Sequence, residues 1–71
     1  MSEQRTGPKT IPPIRFVRLR EVMARTGLSR STIYILMAEG RFPTPVPLGA
    51  RSVGWIDSEL EEWLRDRIAA R

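Results

Sequence analysis

Residues 19–40 read LREVMARTGLSRSTIYILMAEG, and the fold is decided in this stretch. Apolar side chains fall at Leu19, Val22 and Met23, then at Leu28, and again at Ile33, Leu36 and Met37. Within each half the spacing is three or four, which lays one apolar stripe along a helix. The pattern predicts a first helix over about Leu19–Thr26 and a second over about Arg30–Glu39. Gly27 supplies the positive φ that ends the first, and Ser29 can cap the second by accepting a hydrogen bond from a free backbone N–H. Gly40 is expected to stop the second helix as its C′ residue. Two short helices around a glycine turn have the layout of a helix-turn-helix, whose second helix is the one expected to enter a DNA major groove.

Outward toward the C-terminus, residues 41–56 read RFPTPVPLGARSVGWI. The prolines forbid a helix and a central strand, so Val46–Leu48 is expected to be an edge strand. Gly49 and Ala50 make a turn, and Val53–Ile56 returns as the partner. A two-stranded ribbon is marginal alone; Phe42, Val46, Leu48 and Trp55 are its expected anchors on the helices. Asp57 is read as the N-cap of a last helix, with Leu60, Trp63, Leu64 and Ile68 on one stripe. Trp63 is expected to fill the core between this helix and the first.

Toward the N-terminus, Ile14–Arg18 alternates and reads as a short extended segment, with Phe16 and Ile14 toward the core and Arg15 and Arg18 toward water. Residues 1–13 hold a glycine, three prolines and polar groups with little to bury, so they are expected to form a disordered tail. The domain is then residues 14–71. The fold class expected is mainly α with a small β-hairpin, a winged helix-turn-helix.

Composition narrows the function. The 71 residues include no cysteine and no histidine, so neither a disulfide framework, a thiolate zinc site nor a Ser-His or Cys-His nucleophile can be built. The acids Asp57, Glu59, Glu61, Glu62 and Asp66 suit a solvated helix face, and an enzyme is not expected; nor is a cofactor or a metal. With no run of about 18 apolar residues and no signal-peptide pattern, a soluble cytoplasmic protein is expected. Charge is uneven. Residues 1–56 carry Arg5, Lys9, Arg15, Arg18, Arg20, Arg25, Arg30, Arg41 and Arg51 against Glu3, Glu21 and Glu39, whereas the last helix turns acidic. Eleven of the twelve basic residues are arginine, the side chain that forks onto phosphate and guanine. A basic front points to a polyanion met by one face.

The segment RLREVMARTGLSRSTIYILMAEGRFPTPVPLGARSVGW resembles the AlpA family of small phage-derived regulators, relatives of MerR-type winged helix-turn-helix proteins and of phage excisionases. Residues 26–34, TGLSRSTIY, then 39–43, EGRFP, and Gly54-Trp55 carry the likeness. The resemblance implies sequence-specific binding of bacterial or prophage double-stranded DNA, with a recognition helix from Ser29 onward and a wing around Arg51. A transcription regulator and an excisionase directing a recombinase both fit, since both need the same groove-binding face. Possible partners are a second copy of the chain, an integrase or recombinase, or RNA polymerase, in a bacterial cytoplasm at the nucleoid. Where many relatives follow the tyrosine with an arginine, this chain has Ile35, which opens that position to a thymine methyl or to a partner protein. A protein-interaction adaptor is the competing class; a steep fall with salt in affinity for random duplex would favour DNA, and no binding at low salt the adaptor.

The candidate contacts are Ser29, Arg30, Ser31, Thr32, Tyr34 and Ile35 on the second helix. Arg30 can reach guanine O6 and N7 together, or a phosphate. Ser31 and Thr32 sit beside free backbone N–H groups, where a phosphate could bind. Tyr34 can bond a phosphate or cover the core edge. On the ribbon tip, Arg51 and Ser52 are placed to touch phosphate, and Arg18 and Arg41 are further candidates for the backbone.

Overall fold

The computed structural model describes residues 13–71, so the tail expected over 1–13, with Arg5 and Lys9, lies outside them except for Pro13. The elements in order are β1 (Phe16–Val17), α1 (Leu19–Thr26), α2 (Arg30–Ala38), β2 (Val46–Pro47), β3 (Val53–Ile56) and α3 (Asp57–Ala69). The chain is mainly helical, with a small antiparallel sheet in the order β1-β3-β2.

The turn between α1 and α2 forms for the reasons its sequence carries. Gly27 takes φ 74°, and its N–H donates to the Met23 carbonyl at 2.8 Å, closing α1. The Thr26 hydroxyl donates to the Val22 carbonyl at 2.8 Å and accepts from the Leu28 N–H at 3.1 Å, which tightens the corner. Ser29 caps α2 by accepting from the Thr32 N–H at 3.2 Å. Gly40, at φ 70°, follows the C-cap Glu39 and ends α2.

Among the described residues, six buried side chains make the core: Val17, Val22, Ile33, Phe42, Trp55 and Leu60. Each comes from a different part of the chain: β1, α1, α2, the α2–β2 loop, β3 and α3. Stability therefore rests on the assembly of all elements at once, since no single helix has enough buried surface to stand alone. Trp55 satisfies its indole N–H with the Pro43 carbonyl at 2.9 Å. Phe42 meets Trp55 edge-on, with ring centroids 6.5 Å apart, and Trp63 at 4.8 Å.

Four expectations are corrected. The sheet has three strands, because Phe16–Val17 pairs with β3 (Phe16 opposite Ile56, Val17 opposite Trp55) in addition to the hairpin of Val46 with Gly54 and Pro47 with Val53. The phase of the first segment is shifted: Val17 shares the inner sheet face with Trp55 and is buried, whereas Phe16 is 46% and Ile14 73% exposed. Side chains alternate across a strand, so a one-residue error exchanges the two faces. Asp57 is the first residue of α3, not its cap. Its N–H donates to the Arg15 carbonyl at 2.8 Å, and its carboxylate accepts from Arg25. The hydrogen bond to Asp57 raises the Arg25 pKa above the ordinary arginine value, against the lowering effect of desolvation. Glu21, four residues before Arg25, is its secondary partner at 4.0 Å. Finally, Trp63 is only half-buried and reaches the α2–β2 loop, its indole N–H donating to the Arg41 carbonyl at 2.9 Å, instead of filling a gap beside α1.

Of the expected ribbon anchors, Phe42 and Trp55 are buried, Val46 is half-buried and Leu48 is exposed. Leu48 and Phe16 lie over Gly54 on the outer face of the sheet. A Cβ at Gly54 would stand 2.8 Å from Leu48 Cδ1 and 3.2 Å from Phe16 Cβ. The leucine tip can swing away, but Phe16 Cβ is tied to the backbone of a paired strand. Gly54→Ala is therefore expected to destabilise the fold by about 1 kcal/mol, read as a lower urea midpoint. Adding Leu48→Ala should leave the Phe16 clash and restore only part of the loss.

Candidate nucleic-acid interface

The interface candidate is the side of α2 that the core does not use. Ile33 is buried, and Leu36 and Met37 pack on the core cluster. The complement, Arg30, Ser31, Tyr34, Ile35 and Ala38, is exposed. These positions are separated by one, three or four residues, and at 3.6 residues per turn they form one continuous face. The first turn holds no acid, so the partial positive charge of the helix N-terminus is not neutralised within it. Among the described residues, Arg30 has no carboxylate within ion-pair distance.

Ser29 and Thr32 behave differently from their neighbours. Their hydroxyls lie 2.9 Å apart in a mutual hydrogen bond, while Ser29 Oγ also accepts from the Thr32 N–H. Thr32 is half-buried. Both hydroxyls thus hold the start of α2 in shape and so fix the direction in which Arg30 and Ser31 leave the helix. Pairing between these two side chains has no signature in the sequence beyond the three-residue spacing.

The second candidate surface is the tip of the β2–β3 hairpin. Arg51 is exposed there, and Ser52 is half-buried, its carbonyl accepting from the Leu48 N–H at 2.7 Å. That bond closes the turn and leaves the Arg51 side chain on the projecting end. Arg18 is exposed immediately before α1, where its carbonyl accepts from the Val22 N–H at 3.0 Å. Arg41 is at the opposite end of α2 from Arg30. Its guanidinium pairs with Glu39 at 3.3 Å, its N–H donates to the Leu36 carbonyl at 2.8 Å, and its carbonyl holds Trp63. Arg41 is therefore a joint between α2 and α3, with its charge partly answered from within the chain. Arg20, exposed on α1, adds a cation that the motif reading did not single out. Its place between the apolar positions Leu19 and Val22 is the local signal that could have found it.

Among the described residues, no group of three or more His, Cys, Asp or Glu side chains is arranged to hold a metal ion. No helix among them is long and apolar enough to cross a membrane.

With this geometry established, comparison with known proteins gives a consistent answer. The family described as "Prophage CP4-57 regulatory protein (AlpA)" matches residues 15–68. "Uncharacterized protein ORF88" of Enterobacteria phage P4 is 53% identical over 57 residues, covering 80% of this chain. The chain spans 65% of that phage protein's length. The "DNA-binding transcriptional activator AlpA" of Escherichia coli strain K12 is 40% identical over 60 residues, covering 76% of this chain and 86% of the relative. The matched region runs from the residue before β1 almost to the end of α3 and takes in every element of the fold; the chain belongs to the AlpA family of prophage regulatory proteins.

Proposed function

We propose that this chain is a sequence-specific, double-stranded DNA-binding regulator of prophage or mobile-element genes. Residues 14–71 act as a winged helix-turn-helix, with α2 in the major groove and the β2–β3 tip on the phosphate backbone. The observation that carries this reading is the outward face of α2. It is a single exposed surface at a capped helix start, with an arginine at its first position and no acid in its first turn. Such a face can approach phosphates without repulsion and still present donors to base edges. The name of the Escherichia coli relative, a DNA-binding transcriptional activator, supports the same reading.

Within it, Arg30 reads a base edge, Ser31 and Tyr34 position the helix through phosphate or sugar, and Arg51 clamps phosphate from the hairpin. Ser29 and Thr32 preorganise the helix start. A module with so short a reading helix gains specificity by binding in pairs or arrays, because specific DNA interfaces usually need more surface than one small module offers.

A salt titration tests this. Binding to random duplex should weaken steeply as salt rises, because each neutralised phosphate releases counterions. Arg51→Ala is expected to weaken binding evenly across sequences and to flatten the slope of log K against log salt by about one unit. An unchanged slope would remove the hairpin tip from the interface. Absence of duplex binding even at low salt would overturn the DNA reading in favour of a protein-interaction adaptor.

A further inference from the structure

With α2 facing the groove, one large side chain on its outward face has no polar role. Ile35 is 56% exposed at mid-helix, although Ile33, two residues before it, is fully buried. A lone exposed isoleucine needs no explanation on an ordinary surface. Its position decides the matter here. Ile35 follows Ser31 by four residues and precedes Ala38 by three, so at about 100° per residue these three share the side of α2 turned away from the buried Ile33. Whatever covers Ser31 and Ala38 must also cover Ile35.

We propose that Ile35 reads the 5-methyl group of a thymine in the target site. This inference rests on the placement of α2 proposed above. In the major groove the edges of guanine, adenine and cytosine present hydrogen-bonding groups, whereas thymine also presents an apolar methyl. A sec-butyl side chain can neither donate nor accept. Opposite N7, O6 or N4 it displaces water and leaves those groups unpaired; opposite thymine it buries a methyl group.

The test uses the full chain and a site selected from a random duplex library. Each thymine of that site is replaced in turn by deoxyuridine, which deletes the methyl group and keeps every hydrogen-bonding atom. At one position the wild-type chain is expected to lose about fourfold in affinity, the worth of one buried methyl-sized group. Ile35→Ala should bind the thymine site more weakly and lose its discrimination between thymine and uracil at that position alone. Because Ile35 is exposed, its truncation should leave the thermal unfolding midpoint in place, which keeps the comparison between folded proteins. A uracil penalty of equal size in both proteins, or no penalty anywhere in the wild type, overturns the methyl contact while leaving DNA binding intact. Recovery of no preferred site at all overturns the groove placement, and this inference with it.

Discussion

Trp55→Ala should unfold the domain, at a cost of about 3–5 kcal/mol. Trp55 is fully buried, is the largest of the buried side chains and stands at the middle strand of the sheet. It faces Val17 across the β1–β3 pairing and Phe42 from the loop. Removing the indole opens a cavity that the five smaller core side chains cannot close, and strips the Pro43 carbonyl of its donor. A domain of this size sits near the low end of the usual stability range, about 5 kcal/mol, so the loss consumes most of what holds it folded. Circular dichroism should show lost helix signal, and urea titration a shallow, non-cooperative curve. Trp55→Phe keeps most of the ring volume and loses the N–H donor, and should cost about 1–2 kcal/mol beyond the change in size. A wild-type midpoint for the alanine variant would mean that sheet and helices do not share one core.

Arg30→Ala should weaken binding to the selected site by about 1–3 kcal/mol, roughly 5- to 150-fold, and relax base choice at one position. Arg30 opens α2, is exposed, and has no ion pair among the described residues. Its loss should therefore leave folding unchanged while removing a forked donor from the groove. Gel-shift titration over a panel of single-base variants checks this. Equal loss on every member would reassign Arg30 to a phosphate, and Arg30→Lys would then restore much of the affinity, since a phosphate accepts a point charge where guanine requires the fork.

The helical half of the fold was legible in the sequence because its signals are local. Gly27 and Gly40 take positive φ, and Ser29 caps α2, where short-range chemistry places them. The apolar stripe that identifies Ile33 as buried also identifies its complement, so the exposed candidate face could be read without coordinates. What escaped depends on distant partners. Residues 14–18 read as extended, but that Phe16–Val17 joins the sheet depends on β3, almost forty residues later. The same distance hid the phase of Phe16 and Val17. Asp57 has the composition of a helix cap, but Arg25, 32 residues away, claims its carboxylate. Trp63 lies on the predicted stripe, yet its donor is used by a loop carbonyl whose position only the fold determines.

The open edge of β2 has a consequence of another kind. Leu48 points its N–H inward to Ser52, so by alternation Val46 also points inward, and the outward positions are Pro45 and Pro47. Neither proline has a hydrogen to give. A stray extended polypeptide arriving at this rim meets carbonyls alone and cannot complete a ladder. Molecules crowded side by side are thereby kept from fusing through this margin, a safeguard written into two imino acids.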